Sequence, residues 1–420
     1  MNSQAVLSQP LTLPNGIVIK NRLLKSAMSE ALGTRDGAAT PELAHLYETW
    51  ANGGVGLCIT GNVMIDLGAL GEPGNVVIED ERNLATLEAW AIAATQNATQ
   101  CWVQLNHPGK QALKGLNKET VAPSAVPFRD DMKAYFSTPR ELSDAEVHAL
   151  VKRFGTAAGI VRKAGFSGVQ IHGAHGYLVS QFLSPHHNCR TDDWGGTPDK
   201  RRRFVLEVYH AMREAVGPKF PVGIKLNSAD FQRGGFTEEE SLATIRALAE
   251  AGIDLIEISG GTYEAPAMTG IKVDKNLVKE STRLREAYFL EFAEKARDAV
   301  TIPMAVTGGF RSASGMTQAI ESGATDMVGL ARLLAMEPDA PNKLLTGKSA
   351  SYQVKPIATG IKAIDKMGLL EIIWYTGQLK RMGRRQATWP TEPALWVFAK
   401  LVWAMAGIGK KMRATKVRAS

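Results

Sequence analysis

Cysteine is scarce. Cys58, Cys101 and Cys189 are the only three among 420 residues. Far apart and odd in number, they imply no disulfide framework, and a reducing, cytoplasmic compartment fits such usage. Long apolar runs are missing too. No stretch of 18 or more apolar residues occurs, which argues against a membrane-spanning helix. Residues 1–10 lack a basic start and an apolar core, so no secretory signal is read there. An excess of one charge is also lacking over most of the chain. Residues 351–420 carry 13 Lys and Arg against three Asp and Glu, whereas residues 1–350 carry 36 against 39. The formal net charge of +7 therefore belongs to a C-terminal extension. No basic groove with aromatic stacking platforms runs through the body, and nucleic acid is not an expected partner.

What is present is a globular balance, 45% hydrophobic and 22% charged. It excludes a disordered chain, a collagen repeat and a coiled coil. Short apolar or β-branched runs lie at 23–28, 55–60, 102–106, 168–172, 222–227, 255–259, 304–307 and 327–330. Between them fall helix-like stretches such as 41–52, 143–164, 237–251 and 285–299, where apolar residues recur at spacings of three and four. Ser143 with Glu146, and Thr237 with Glu240, are capping-box pairs that mark helix starts. The strand runs are nearly continuous in apolar residues, as expected where both faces are covered. Eight strands alternating with helices predict a single (β/α)8 TIM barrel over residues 1–350, followed by a basic helical extension over 351–420.

In such barrels chemistry gathers where strands end and the following loops begin. Polar and Gly-rich clusters do follow the strands, at 104–107, 172–177, 225–227, 259–261 and 307–309. The long connection 107–142, with Pro108, Pro123, Pro127 and Pro139, is read as a lid. His172, His175 and Tyr177 form the sharpest cluster. Two imidazoles can polarise one carbonyl oxygen, and a phenol can deliver a proton to carbon. A zinc-dependent hydrolase or lyase is the competing reading, because His172, His175, His186, His187 and Cys189 fall within 18 residues. Neither a Cys-x2-Cys pair nor a His-Glu-x2-His helix is present, so no metal ligand is assigned. Thr307-Gly308-Gly309 and Gly329-Leu-Ala331-Arg332 end the last two strands, where barrels of this kind bind phosphate. Glycine backbones can approach an anion closely and Arg332 adds a charged donor.

At these residues the chain resembles the old yellow enzyme family of FMN-dependent ene-reductases. The likeness runs over about residues 8–345. It is strongest from His172-Gly-Ala-His-Gly-Tyr-Leu-Val-Ser-Gln-Phe-Leu-Ser-Pro-His-His-Asn-Cys-Arg-Thr-Asp-Asp-Trp-Gly-Gly196 through Arg201-Arg-Arg-Phe204, with Lys20-Asn-Arg22, Gln104-Leu-Asn-His107, Ala122-Pro-Ser-Ala125 and Gly308-Gly309 in support. The resemblance implies FMN at the C-terminal mouth of the barrel, with Ser26, Ala27, Met28 and Ser29 beside the isoalloxazine. It implies Gln104 on the pyrimidine side, Lys225 near N1, Gly61 and Asn62 after the second strand, and Gly308, Gly309, Ala331 and Arg332 on the phosphate. His172 and His175 would grip the carbonyl oxygen of an enone or enal, and Tyr177 would protonate its α-carbon after hydride reaches the β-carbon. NAD(P)H would be the reductant, and the protein would orient the cofactor and tune its potential. Four positions depart from the pattern. Lys225 replaces a common Arg and loses its planar fork. Ser29 stands where Cys or Thr is frequent, Ala31 where one branch has Tyr, and Gly61-Asn62 replaces an acidic-glycine pair. The iron–sulfur cluster and second dinucleotide region of larger relatives are not expected with three scattered cysteines.

The extension has two helical candidates. Residues 369–382 show apolar positions at 369, 370, 372, 373, 374, 379 and 382, and residues 395–408 are almost wholly apolar, followed by Lys410, Lys411, Arg413, Lys416 and Arg418. The second is too short to span a bilayer, but it suits a membrane interface. Packing on the barrel, or on a partner subunit of a homo-oligomer, is the other reading, as is a flavin-binding, membrane-associated protein without turnover.

Overall fold

A computed structural model describes residues 3–262, 289–365 and 369–403. Eight parallel strands close a barrel: β1 (Leu23–Lys25), β2 (Leu57–Ile59), β3 (Gln100–Asn106), β4 (Gly168–Gly173), β5 (Val222–Asn227), β6 (Leu255–Ser259), β7 (Met304–Thr307) and β8 (Met327–Leu330). Each pairs with the next, and β8 returns to β1 through Val328 opposite Leu23. The last four strands have the bounds expected from the sequence. β1 stops three residues early. After Ser26 donates its N–H to the Leu330 carbonyl, the backbone leaves the ladder and residues 26–29 become pocket wall.

The helices start where their caps place them. In α1 (Pro41–Asn52) the Thr40 side chain accepts from the Leu43 N–H, and proline opens the first turn. Both expected capping boxes form, at Ser143 before α2 (Asp144–Lys163) and Thr237 before α3 (Glu238–Ala251). Ser143 and Thr237 thus stand just outside helices that the spacing had included. The helix expected at 285–299 is α4 (Leu290–Arg297), with 285–288 outside the described residues. Two cores result. One lies between strands and helices. The other fills the lower barrel with Leu24, Leu57, Ile59, Trp102, Leu255 and Met327, and is plugged by the antiparallel pair Leu11–Thr12 and Val18–Ile19. A floor packed this way leaves only the upper mouth for chemistry.

The connection 107–142 is tied down. Arg190 donates to the Pro123 and Leu142 carbonyls, Gln181 donates to Pro108, and the connection supplies none of the residues lining the mouth. The extension supplies a wall instead. Its helix α5 (Leu369–Gly383) buries Leu370, Trp374, Tyr375, Leu379 and Met382, and crosses α1 so closely that a Cβ on Gly383 would meet the Glu42 carbonyl at 2.7 Å. Residues 394–403 are helical beyond it, and 404–408 of the second candidate lie outside the described residues. No described helix is long and apolar enough to cross a membrane.

Candidate active site

The fifteen residues singled out from the sequence line one cavity at the C-terminal mouth. These are Ser26, Ala27, Met28, Ser29, Gly61, Asn62, Gln104, His172, His175, Tyr177, Lys225, Gly308, Gly309, Ala331 and Arg332. β4 delivers the histidine cluster. His172 is the last residue but one of the strand, and the turn after it places His175 at φ 61°, with its N–H on Asn227 Oδ1 at 3.2 Å. The rings of His172 and His175 lie 5.3 Å apart at 86°, and Tyr177 lies 4.7 Å from His172. Asn62 Nδ2 donates to the phenol oxygen at 3.2 Å. His175 Nε2 meets Ser259 Oγ at 2.8 Å, and the Ala174 N–H reaches His172 Nδ1 at 3.4 Å.

Both imidazoles are uncharged. Burial pushes His175 down to about 3, with the Lys225 ammonium adding to the fall, and burial with His175 and Lys225 holds His172 well below the usual range. His107, pushed down to about 4 by burial, and His187, also held low by burial, share this state. Unfolded chains protonate histidine near 6.5, so stability from these four groups is intact above that pH and drains away toward pH 4. Glu72, raised by burial to about 7, acts in the opposite sense and offsets one of them. The depressed histidines outnumber Glu72, so stability falls as the pH drops from 7 toward 5, and the apparent Tm should fall with it. A flat Tm over that range, followed by circular dichroism, would mean that these rings are solvated or paired in solution.

The floor of the cavity is a buried polar layer. Glu257 on β6 pairs with Lys225 at 3.0 Å, and accepts from Ser26, Thr307 and the Gln170 amide. Gln170 in turn accepts from Gln104 Nε2 at 2.7 Å. Behind the wall, the Lys25 ammonium is enclosed by Trp50 at 4.3 Å, Tyr47 and the Ile59 carbonyl. Tyr47 donates to Glu30, and Glu30 takes the Gly61 N–H at 2.9 Å. A Cβ on Gly61 would strike Glu30 Oε2, so only glycine lets this buried cluster fix the turn that presents Asn62 to Tyr177. At the far end, Gly308 and Gly309 take φ of 122° and 95°, open to glycine alone. Arg311 and Arg332 flank them, and Arg332 is paired with Glu371 of α5 at 2.9 Å.

Several lining residues escaped the sequence reading: Ser259, Arg311, Val354, Glu371, Tyr375 and Thr376. Ser259 and Arg311 sit at strand ends already noted, so position alone could have found them. Those from the extension had no local signal. The zinc reading finds no ligand set: among the described residues no group of three His, Cys, Asp or Glu is arranged to hold a metal. His186 meets His187 edge to face and Cys189 is exposed, while His172 and His175 line the cavity.

FMN fits the residues present. Gln104 Oε1, Ser29 Oγ and Tyr375 OH are buried in the wall without a hydrogen-bond partner among the described residues, and buried polar atoms of that kind call for a ligand that bonds them. Lys225 offers a cation in the same cavity as Gln104, and the glycines with two arginines suit a phosphate. Comparison with known proteins agrees. The chain is 34% identical over 412 residues to the NADH-dependent flavin oxidoreductase iccE of Talaromyces variabilis, covering 90% of this chain and 98% of that one. It is 37% identical over 345 residues to the NADH-dependent flavin oxidoreductase nadA of Aspergillus parasiticus, covering 78% and 76%. The fold matches an old yellow enzyme homologue from Zymomonas mobilis with a TM-score of 0.70 at 23% identity, over 83% of this chain and 94% of that one. Morphinone reductase matches at 0.68 and 23%, over 82% and 91%. The family model for NADH:flavin oxidoreductase / NADH oxidase spans residues 6–350. This chain therefore belongs to that family, shares the fold of the old yellow enzyme homologue, and takes FMN as cofactor with NAD(P)H as reductant.

Proposed function

We propose that the enzyme reduces the activated carbon–carbon double bond of α,β-unsaturated carbonyl compounds. The observation that carries this reading is the convergence of two uncharged imidazoles and a phenol on one cavity wall. Bound FMN supplies the hydride. The protein's part is to hold the carbonyl oxygen and move one proton. An N–H on His172 Nδ1 is disfavoured by the Ala174 N–H that points at it, so the ring donates through Nε2. His175 has Nε2 on Ser259. A Ser259 hydroxyl donating to Nε2 leaves the ring proton on Nδ1, where a substrate oxygen can accept it. Tyr177 gives its proton to the α-carbon, and the Asn62 amide on the phenol oxygen stabilises the phenolate left behind.

Anaerobic stopped-flow with a panel of enones and enals tests the reaction class. NADH or NADPH should bleach the flavin, and members of the panel should restore its colour. Bleaching that only dioxygen reverses would reject the reading. Ser259→Ala should slow the second step about tenfold, the worth of one hydrogen bond, and leave the first unchanged. Equal slowing of both would mean that Ser259 shapes the pocket instead.

We also propose that the extension seats the enzyme on anionic lipid. In the helix 394–403, Leu395, Trp396, Ala399, Val402 and Trp403 face solvent at spacings of one, four, seven and eight, with Trp403 83% and Trp396 54% exposed. Val397 is buried on the opposite side. Five basic residues follow between 410 and 418. An apolar stripe beside basic charge fits an interface, where each Lys or Arg adds about 1 kcal/mol at low salt. The protein should co-sediment with vesicles containing phosphatidylserine and leave them at high salt. Trp396→Asp with Trp403→Asp should abolish this, and a parent protein that stays in the supernatant at low salt would exclude it.

A further inference from the structure

We propose that Glu257, acting through Gln170, dictates which atom of the Gln104 amide faces the flavin cavity, so that the floor reads an N–H rather than a carbonyl. The inference rests on the reading that Gln104 and Lys225 meet the pyrimidine edge of FMN, and it adds two positioning residues that do not line the cavity.

An amide can be turned either way at little cost unless something fixes it. Here the chain of contacts ends in a group that cannot reverse. Glu257, Gln170 and Gln104 are all fully buried. Glu257 Oε1 accepts from Ser26 and Thr307 and faces the Lys225 ammonium at 3.0 Å, while Oε2 takes Gln170 Nε2 at 2.9 Å. Burial alone would raise this carboxyl, but Lys225 and the three hydrogen bonds outweigh it and hold the group ionised. A carboxylate only accepts. Gln170 must therefore turn its NH2 toward Glu257, which leaves its Oε1 for the neighbour. Gln104 must answer with its own NH2, at 2.7 Å. The one amide atom left over is Gln104 Oε1, buried and without a hydrogen-bond partner among the described residues.

The cavity floor thus shows an acceptor at Gln104. On the same floor, Lys225 gives one N–H to Ser26 Oγ and faces the Glu257 carboxylate as an ion pair, and an ammonium carries three N–H groups. Acceptor next to donor is the complement of an imide edge, an N–H flanked by a carbonyl. A flavin's pyrimidinedione ring has that edge, and a ligand offering only carbonyls does not. Register supports the arrangement: Gln170 lies directly opposite Gln104 across β3 and β4, and Glu257 directly opposite Lys225 across β5 and β6.

Two substitutions at Gln170 separate hydrogen-bond polarity from charge. Gln170→Lys pairs with Glu257 and can only donate toward Gln104, so it turns the Gln104 NH2 into the cavity against the flavin N–H. Gln170→Glu shares one proton with Glu257, as two close carboxyls do, and still accepts from Gln104. The relay predicts that Gln170→Lys weakens binding of oxidised FMN to the apoprotein at least about tenfold, a buried donor–donor clash, while Gln170→Glu stays within about threefold of the parent. Charge alone predicts the reverse order, because an added cation favours the phosphate-bearing cofactor and an added anion does not. Fluorescence titration of FMN reads the order directly. Tighter binding to Gln170→Lys than to Gln170→Glu, or equal weakening of both, overturns the relay. Should Gln170→Lys fail to fold by circular dichroism, Gln170→Met replaces it. Methionine gives Gln104 no acceptor, so the relay requires Gln170→Glu to bind FMN more tightly than Gln170→Met, and equality or the opposite order overturns it. A parent apoprotein that binds no FMN would instead reject the flavin reading, before either substitution is compared.

Discussion

Replacing Tyr177 by Phe is expected to slow alkene reduction by about 10²–10⁴-fold, the range for a lost general acid, while reduction of the bound flavin by NADH proceeds as before. The ring keeps its place, because the packing against His172 at 4.7 Å does not involve the hydroxyl. What disappears is the proton and the oxygen that takes the Asn62 amide. Asn62 then loses an acceptor in a half-buried site, so stability should fall by about 1–3 kcal/mol, too little to unfold the enzyme at 25 °C. Separate measurement of the two half-reactions distinguishes the roles. Equal loss in both would mean that Tyr177 supports the flavin or the fold. An unaltered second half-reaction would reassign the proton to solvent.

The roles given to Tyr177 and the two histidines began as strand-end chemistry, and there the sequence is informative. A parallel barrel buries its strands on both sides, so their limits show as apolar runs that stop at polar or glycine residues. Those limits were legible for β5 to β8. They were not for β1, because Ala27 and Met28 are apolar for another reason: they leave the ladder and line a cavity. Glu257 and Gln170 were invisible for a related reason. Mid-strand polar residues in a buried barrel have meaning only through the strand beside them, and Glu257 meets Lys225 thirty-two positions away. The Lys25, Tyr47 and Glu30 cluster behind Gly61 is likewise made by α1 packing back on the turn after β1. The extension was the least legible part. The spacing in 369–382 showed a helix, but not what it would pack on, and its place at the flavin mouth carried no local signal.

That placement decides what truncation does. By position alone a chain ending at Thr346 is separable, since the glycines at 308 and 309 and Arg332 precede the cut. The opposite outcome is expected. Without α5 the mouth loses Glu371, Tyr375, Thr376 and Leu379 from its wall, and Arg332 loses the carboxylate that holds it at 2.9 Å. Thr376 also braces the Ser29 carbonyl, in the segment expected to run beside the isoalloxazine. The energetic loss is larger still. Leu370, Trp374, Tyr375, Leu379 and Met382 are buried, and about 2 kcal/mol for each such side chain gives about 10 kcal/mol. Whole domains are stable by about 5–15 kcal/mol. The truncated chain should therefore be insoluble or unfolded by circular dichroism, and free of flavin absorbance. A chain ending at Trp403 keeps every contact that α5 makes among the described residues, including Trp374 Nε1 on the Glu392 carbonyl and Gln378 on the Glu392 carboxylate, and should retain its flavin. If the chain ending at Thr346 were soluble and yellow, α5 would be a dispensable cover, and the flavin would be held by the barrel loops alone.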